Sequence, residues 1–428
     1  MKSRFGGLAL LAAAVGSLPA GALSIFVIHA TSLALLMVGS IPVARLLGPA
    51  QKGVINLFTL LTGLIAEFGL LGVNSGLLYQ LGNRRIPIAR VHTAALQACA
   101  VLGGISFVVL LSLRPVLSRV FEGLPAIFLL LAGGMAPLLL YRGIWSSLMT
   151  GVEQVVRVYR VNLAFSGASL AGLLLLYWAW SLTAESIIWL SSLLVAVYCV
   201  YGFLALGTVH RFRFESGTTS LKEALRYGAV VYVGVVFNYL HFRGDQMLVN
   251  YFLGTRGLGI YTVSVACAEM IWLIDYAMMQ TSVVRISSLK PGESWHYTRG
   301  VFRTTLFLLL AAAALLAAAA PLLVTGLYGR EFREAVLPLI LLLPGIIGWG
   351  SGRILSQFIS YNAGRPFLTS SAAVAGCVLN FLANVYAVPR WGLAGAALAS
   401  SVSYLATLAF VGIIFIRLGR RLGVPECA

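Results

Sequence analysis

Apolar runs of about twenty residues recur along the whole chain, separated by short polar breaks. In the first half they fall at 20–44, 54–82, 91–112, 124–148, 160–180 and 186–209. In the second half they fall at 227–252, 258–286, 301–325, 335–360, 367–388 and 392–416. A run of this length crosses the hydrocarbon core of a bilayer as a helix, which satisfies its own backbone polar groups there. The pattern therefore predicts an all-α polytopic membrane protein with about 12 transmembrane helices. Its ambiguous part is Phe5 to Ala44, long enough for two short spans or for one span preceded by an interfacial segment. Two spans would invert everything downstream. The first 22 residues also mimic a secretory signal, with Lys2 and Arg4 before an apolar run from Phe5 to Val15, but the chain continues into further membrane runs.

Composition agrees with a bilayer as solvent. Hydrophobic residues make up 60% and charged residues 10%, whereas soluble domains carry roughly a quarter charged residues. The 30 Lys and Arg against 13 Asp and Glu give +17. In a soluble chain that excess would suggest nucleic acid; here it is read by position, because cytoplasmic loops collect Lys and Arg. With both termini inside, 18 basic residues fall on the cytoplasmic side, eight outside and four within spans. No nucleic-acid partner is expected. The five cysteines are scattered without metal-ligand spacing, so neither a disulfide nor a metal site is expected. No GxxxxGK[ST], HExxH or GxSxG motif occurs, and the outside loops are short turns such as Thr183 to Glu185 and Pro389 to Gly392. An enzyme is the poorer reading.

The longest polar segment, His210 to Arg226, divides the chain into two six-span halves, taken as lobes 1–215 and 216–428. A local match links them at an offset of 206: Leu46-Leu47-Gly48 with Gly53 answers Phe252-Leu253-Gly254 with Gly259. Tyr198 stands opposite Tyr404 in a weaker echo. A parallel duplication of an even-span unit would produce such a pattern.

Eight ionisable residues lie inside the spans: Glu67, Arg142, Arg243, Asp245, Glu269, Asp275, Arg285 and Arg353. Each costs about 2.5–3.5 kcal/mol or more at a helix centre, so each needs a partner or a watery cavity. Helical spacing puts Glu67 with Asn74, and Asn238 and His241 with Asp245, while Arg243 points nearly opposite to Asp245. It also aligns Glu269, Trp272, Tyr276 and Gln280, then Arg353, Gln357 and Ser360, then Asn380 and Asn384. These stripes read as walls of a polar cavity. Competing readings stay open: Arg285 near a helix end can snorkel to a headgroup, and Asn380 and Asn384 can simply bond neighbouring helices. A cavity with staggered arginines suits an anionic cargo, since a guanidinium holds phosphate bidentately. Arg142, Arg243, Arg353 and Arg285, with Gln357, Asn74, Asn380 and Asn384, are the candidate substrate-binding residues. Asp245, Glu67, Glu269 and Asp275 are the candidate carriers of a coupling ion, H+ or Na+, with no other cofactor expected.

Three blocks resemble the polysaccharide and O-antigen lipid flippases of the multidrug/oligosaccharidyl-lipid/polysaccharide exporter superfamily. The first is ARLLGPAQKG through AEFGL at Ala44 to Leu70; the second, RYG through RGDQ and FLGTRGLGIY, lies in Arg226 to Val263. The third, YNAGRP, LNFLAN and PRWGLAGAALAS, lies in Tyr361 to Tyr404. The chain departs in having Glu67 where aspartate is common and no tyrosine-bearing turn after Gly53. The resemblance implies two six-helix lobes around a central cavity, alternating access, and a polyprenyl-pyrophosphate oligosaccharide as cargo in a bacterial inner membrane. A polysaccharide polymerase and chain-length proteins are the implied partners beside membrane lipid. The rivals are a drug/cation antiporter of the same superfamily and a membrane glycosyltransferase or polymerase.

Overall fold

The computed structural model describes residues 20–82, 86–209 and 218–422. The apolar residues 5–19, the loop residues 210–217 and Cys427 lie outside the described residues. All regular structure among the described residues is helical. Helix α1 is Ala20–Gly69, followed by α2 (Val73–Gly82), α3 (Ile88–Ser112), α4 (Arg114–Val120), α5 (Ala126–Gly134) and α6 (Ala136–Gly151). Then come α7 (Val155–Trp178), α8 (Ala184–Gly207), α9 (Thr218–Glu269), α10 (Trp272–Ser288) and α11 (Pro291–Leu323). The last two are α12 (Val336–Gln357) and α13 (Pro366–Arg421).

Among the described residues, eight helical segments are long and apolar enough to cross a membrane, and the α5–α6 pair, bent by 45°, makes a ninth. Three of the long segments are doubled at a glycine whose backbone leaves the helical region: Gly48, Gly254 and Gly392. Splitting them there yields the twelve spans that hydropathy predicts. The helices outrun the apolar runs, however. The seventh span is expected from 227 and the ninth from 301, whereas α9 starts at Thr218 and α11 at Pro291. Hydropathy marks the stretch immersed in hydrocarbon, while the backbone ladder continues through the headgroup region into water.

Gly48 has φ 73°, ψ 176° and Gly254 has φ 69°, ψ −176°, a region essentially confined to glycine. The two residues 206 apart thus make the same turn. Their neighbours also meet. A Cβ on Gly53 would collide with the Thr255 carbonyl, and one on Gly259 with the Pro49 carbonyl.

Residue contacts gather into two units, Thr31–Gly259 and Ile260–Ala428 with Met1–Ala30. In the first, α6 is the hub against which α2, α3 and α8 pack, with Trp145, Ile144 and Leu148 fully buried. In the second, α12 is the hub for α10, α11 and α13. Gly345 and Gly348 bring it close to Ser401 and Leu405 of α13, an approach that small residues permit between membrane helices. Each hub is the fourth span of its half. Each also sets a tryptophan against the tyrosine of the sequence echo: Trp145 against Tyr198 at 5.3 Å, Trp349 against Tyr404 at 5.5 Å.

Candidate functional site

In the first unit, α9 is fixed to α1 by hydroxyls. Tyr232 Oη donates to the Phe68 carbonyl at 2.7 Å and Tyr239 Oη to the Leu60 carbonyl at 3.2 Å. Residues seven apart share a helix face. Arg243 follows four residues later on that face, and Tyr239 lies within the field of both Arg243 and Glu67. Glu67 and Arg243 are half-buried. The missing side chain at Gly63 admits the Tyr239 hydroxyl, which a Cβ there would strike. Neither tyrosine was singled out from sequence, although their spacing to Arg243 was readable.

Asp245 is 2% exposed, and its Oδ1 accepts the Gln246 amide at 2.7 Å. His241, one turn back, is fully buried. Asn74 is half-buried near the start of α2. Arg142 on α6 is exposed, with its guanidinium over the Tyr198 ring at 5.1 Å. Tyr198 is steadied by donating to Asn162 Oδ1 at 3.2 Å.

The second unit holds a ladder between α10 and α12. Trp272 Nε1 donates to the Ile346 carbonyl at 3.1 Å. Next, Arg353 Nη1 stands 3.0 Å from Asp275 Oδ2. Beyond it, Ser282 Oγ donates to Gln357 Oε1 at 3.1 Å while Gln357 Nε2 donates to the Met279 carbonyl at 3.1 Å. Positions 272, 275, 279 and 282 lie on one face of α10, and 346, 353 and 357 on one face of α12. Gly350 lies in the same stripe, beside the side chains of Leu309, Asp275 and Trp272. The middle rung is asymmetric: Asp275 is fully buried, while the Arg353 side chain is 35% exposed. Arg353 is the one ion-pair partner of Asp275 among the described residues.

The remaining candidates divide by what they touch. Gln357 has both its polar atoms engaged by α10. Asn380 Nδ2 reaches Ser400 Oγ at 3.3 Å and Ser403 Oγ at 3.0 Å, and Asn384 Nδ2 donates to Asn380. These asparagines bind together the two segments of α13 that meet at Gly392. Arg285 is exposed, 4.7 Å over the Tyr297 ring, and Glu269 is half-buried at the end of α9. The structure thus pairs Asp275 with Arg353 and sets Tyr239 within the field of both Glu67 and Arg243, and it gives Arg142 and Arg285 aromatic platforms.

The NAGRP block is a joint. Asn362 Nδ2 donates to the Ile286 and Leu289 carbonyls at 2.9 Å, capping the end of α10. Gly364 turns the chain at φ 64°, and Pro366 opens α13, where its missing N–H costs nothing.

Residues 43–337 match the family described as polysaccharide biosynthesis protein. The chain belongs to this family. No curated protein matches it. Among solved structures, an inward-facing multidrug-resistance MATE-family transporter of the MOP superfamily matches with a TM-score of 0.71 at 14% identity, covering 95% of this chain and 100% of that one. The lipid II flippase MurJ in an inward closed conformation matches with a TM-score of 0.69 at 11% identity, covering 91% and 88%. An outward-facing MATE-family transporter gives 0.64 at 13%, covering 95% and 97%. At such identities the likeness is one of fold, and this family member shares it over nearly its whole length.

Proposed function

We propose that this multi-pass membrane protein is a flippase that carries a polyprenyl-pyrophosphate-linked oligosaccharide from the cytoplasmic to the outer leaflet of a bacterial inner membrane. Halves 1–215 and 216–428 are the moving parts of an alternating-access cycle, both termini are cytoplasmic, and the product feeds a polysaccharide polymerase with its chain-length proteins. Family membership and the fold shared with a lipid flippase support the reading.

The Arg353–Asp275 pair carries it. The buried carboxylate holds one edge of the guanidinium, and the exposed part remains open to a phosphate, which arginine binds bidentately. When the phosphate draws Arg353 away, Asp275 loses its one ionic partner inside the bundle, a cost that uptake of H+ or Na+ removes. Cargo binding and ion binding are thereby linked at one pair. Arg142 and Arg243 serve the same pyrophosphate elsewhere on its path, and Glu67, Asp245 and Glu269 are secondary carriers of the coupling ion.

The test is leaflet exchange of a fluorescent polyprenyl-pyrophosphate oligosaccharide in proteoliposomes, beside a cationic dye. Arg353→Ala and Arg243→Ala should each slow glycolipid movement about tenfold or more, the worth of one charge-assisted phosphate contact. Unchanged rates in well-expressed variants would remove these arginines from the mechanism. Transport of the dye alone would identify a drug/cation antiporter instead; the MATE-type structures that share the fold are named as multidrug-resistance transporters.

A further inference from the structure

In the second unit, α11 and the C-terminal segment of α13 bound a groove of about 680 Å³. Its wall includes Leu408, Ile413 and Ile416, its rim carries Arg299, Arg303 and Arg420, and no acidic residue lines it. The framework beneath is fixed. Trp295 Nε1 donates to the Phe415 carbonyl at 3.2 Å, the two rings stack at 5.2 Å, and Gly419 leaves the space that the indole fills. The Arg299 guanidinium rests over the Trp295 ring at 5.5 Å. Arg303 is exposed and makes no hydrogen bond or ion pair among the described residues. Ile413 and Ile416 are 51% and 46% exposed, which in a membrane-spanning helix places them against lipid.

We propose that this groove binds one anionic glycerophospholipid of the adjoining leaflet, its phosphate among the three guanidinium groups and an acyl chain along the isoleucine wall. Charge complementarity selects the occupant: a purely basic rim above an apolar wall at a helix end suits a lipid phosphate. The groove is separate from the cargo contacts proposed above. Leu355, which lines it, projects from α12 two residues after Arg353, about 200° around the helix. An apolar wall open to lipid is also a poor seat for a glycan. Assigning the leaflet as cytoplasmic rests on the topology proposed above; the existence of the site does not.

Native mass spectrometry of the purified full chain tests it, with phosphatidylglycerol, phosphatidylcholine and a polyprenyl pyrophosphate as probes. Phosphatidylglycerol should be retained about tenfold better than phosphatidylcholine. Arg303→Gln should weaken it about fivefold, the contribution of one arginine near a membrane surface. The Arg299→Gln/Arg303→Gln/Arg420→Gln variant should show no preference. Ile413→Trp, which narrows the groove without changing charge, should also weaken phosphatidylglycerol; it and Arg303→Gln decide the matter should the triple variant not fold. Equal retention of both phospholipids, or a preference untouched by Arg303→Gln and Ile413→Trp, would overturn the site. Retention of polyprenyl pyrophosphate in place of phosphatidylglycerol would overturn the occupant and make the groove a cargo-loading site. Because binding is read without transport, a protein that fails to flip glycolipid yet prefers phosphatidylglycerol refutes the flippase reading alone.

Discussion

Arg353 and Asp275 are unequal partners, and their substitution should show it. Arg353→Ala leaves a fully buried carboxylate without a counter-charge, an error that costs about 3–5 kcal/mol when a buried pair is broken from one side. Asp275→Asn leaves an arginine already a third exposed, which can reach water, and should cost clearly less. Adding Asp275→Asn to Arg353→Ala should restore most of the loss, measured by denaturation in mixed micelles. Tyr239→Phe removes one hydrogen bond to Leu60 and should cost about 1 kcal/mol by the same measurement. Sequence alone exposed the eight intramembrane charges because each is anomalous in its apolar run. It could not say which would meet: Asp275 and Arg353 are 78 residues apart on different spans, and only packing of α10 on α12 joins them. Asn380 and Asn384 were readable as helix glue because asparagine in a membrane helix must find a partner nearby.

At the scale of elements, the turns at Gly48 and Gly254 dictate how consecutive spans reverse. Any side chain at these φ, ψ values is strained by roughly 1–3 kcal/mol, so Gly48→Ala and Gly254→Ala should each lower stability by about that much. Gly53→Ala and Gly259→Ala act differently, since each wedges a methyl group against the backbone of the opposite turn. Their penalties should be similar. Combined, they should cost less than the sum, because the first separation of the two turns already relieves the second clash; thermal unfolding of the four proteins checks it. The 206-residue repeat made the matching turns legible. It could not reveal that the turns touch, since a duplication fixes likeness of conformation and leaves proximity to tertiary packing.

For the whole molecule, the number and type of elements followed from hydropathy, because a bilayer leaves an apolar run little choice but a helix. Helix ends did not, since they are set where no hydrocarbon acts. The proposed orientation makes a direct prediction. In a cysteine-free background, Thr183→Cys should react with an impermeant maleimide added outside intact cells, and Ser288→Cys should react only after the membrane is opened. The reverse pattern would place both termini outside.

The crossed contact between the two glycine turns has the form of a homodimer interface. Pro49 meets Gly259 while Thr255, its counterpart 206 residues later, meets Gly53, the counterpart of Gly259. Each surface is the other's image, so the contact is isologous, the kind two copies make about a two-fold axis. One chain therefore carries internally the self-recognition that a half-length ancestor would have had to find in a second molecule, and a change at either glycine asks for its reflection at the other.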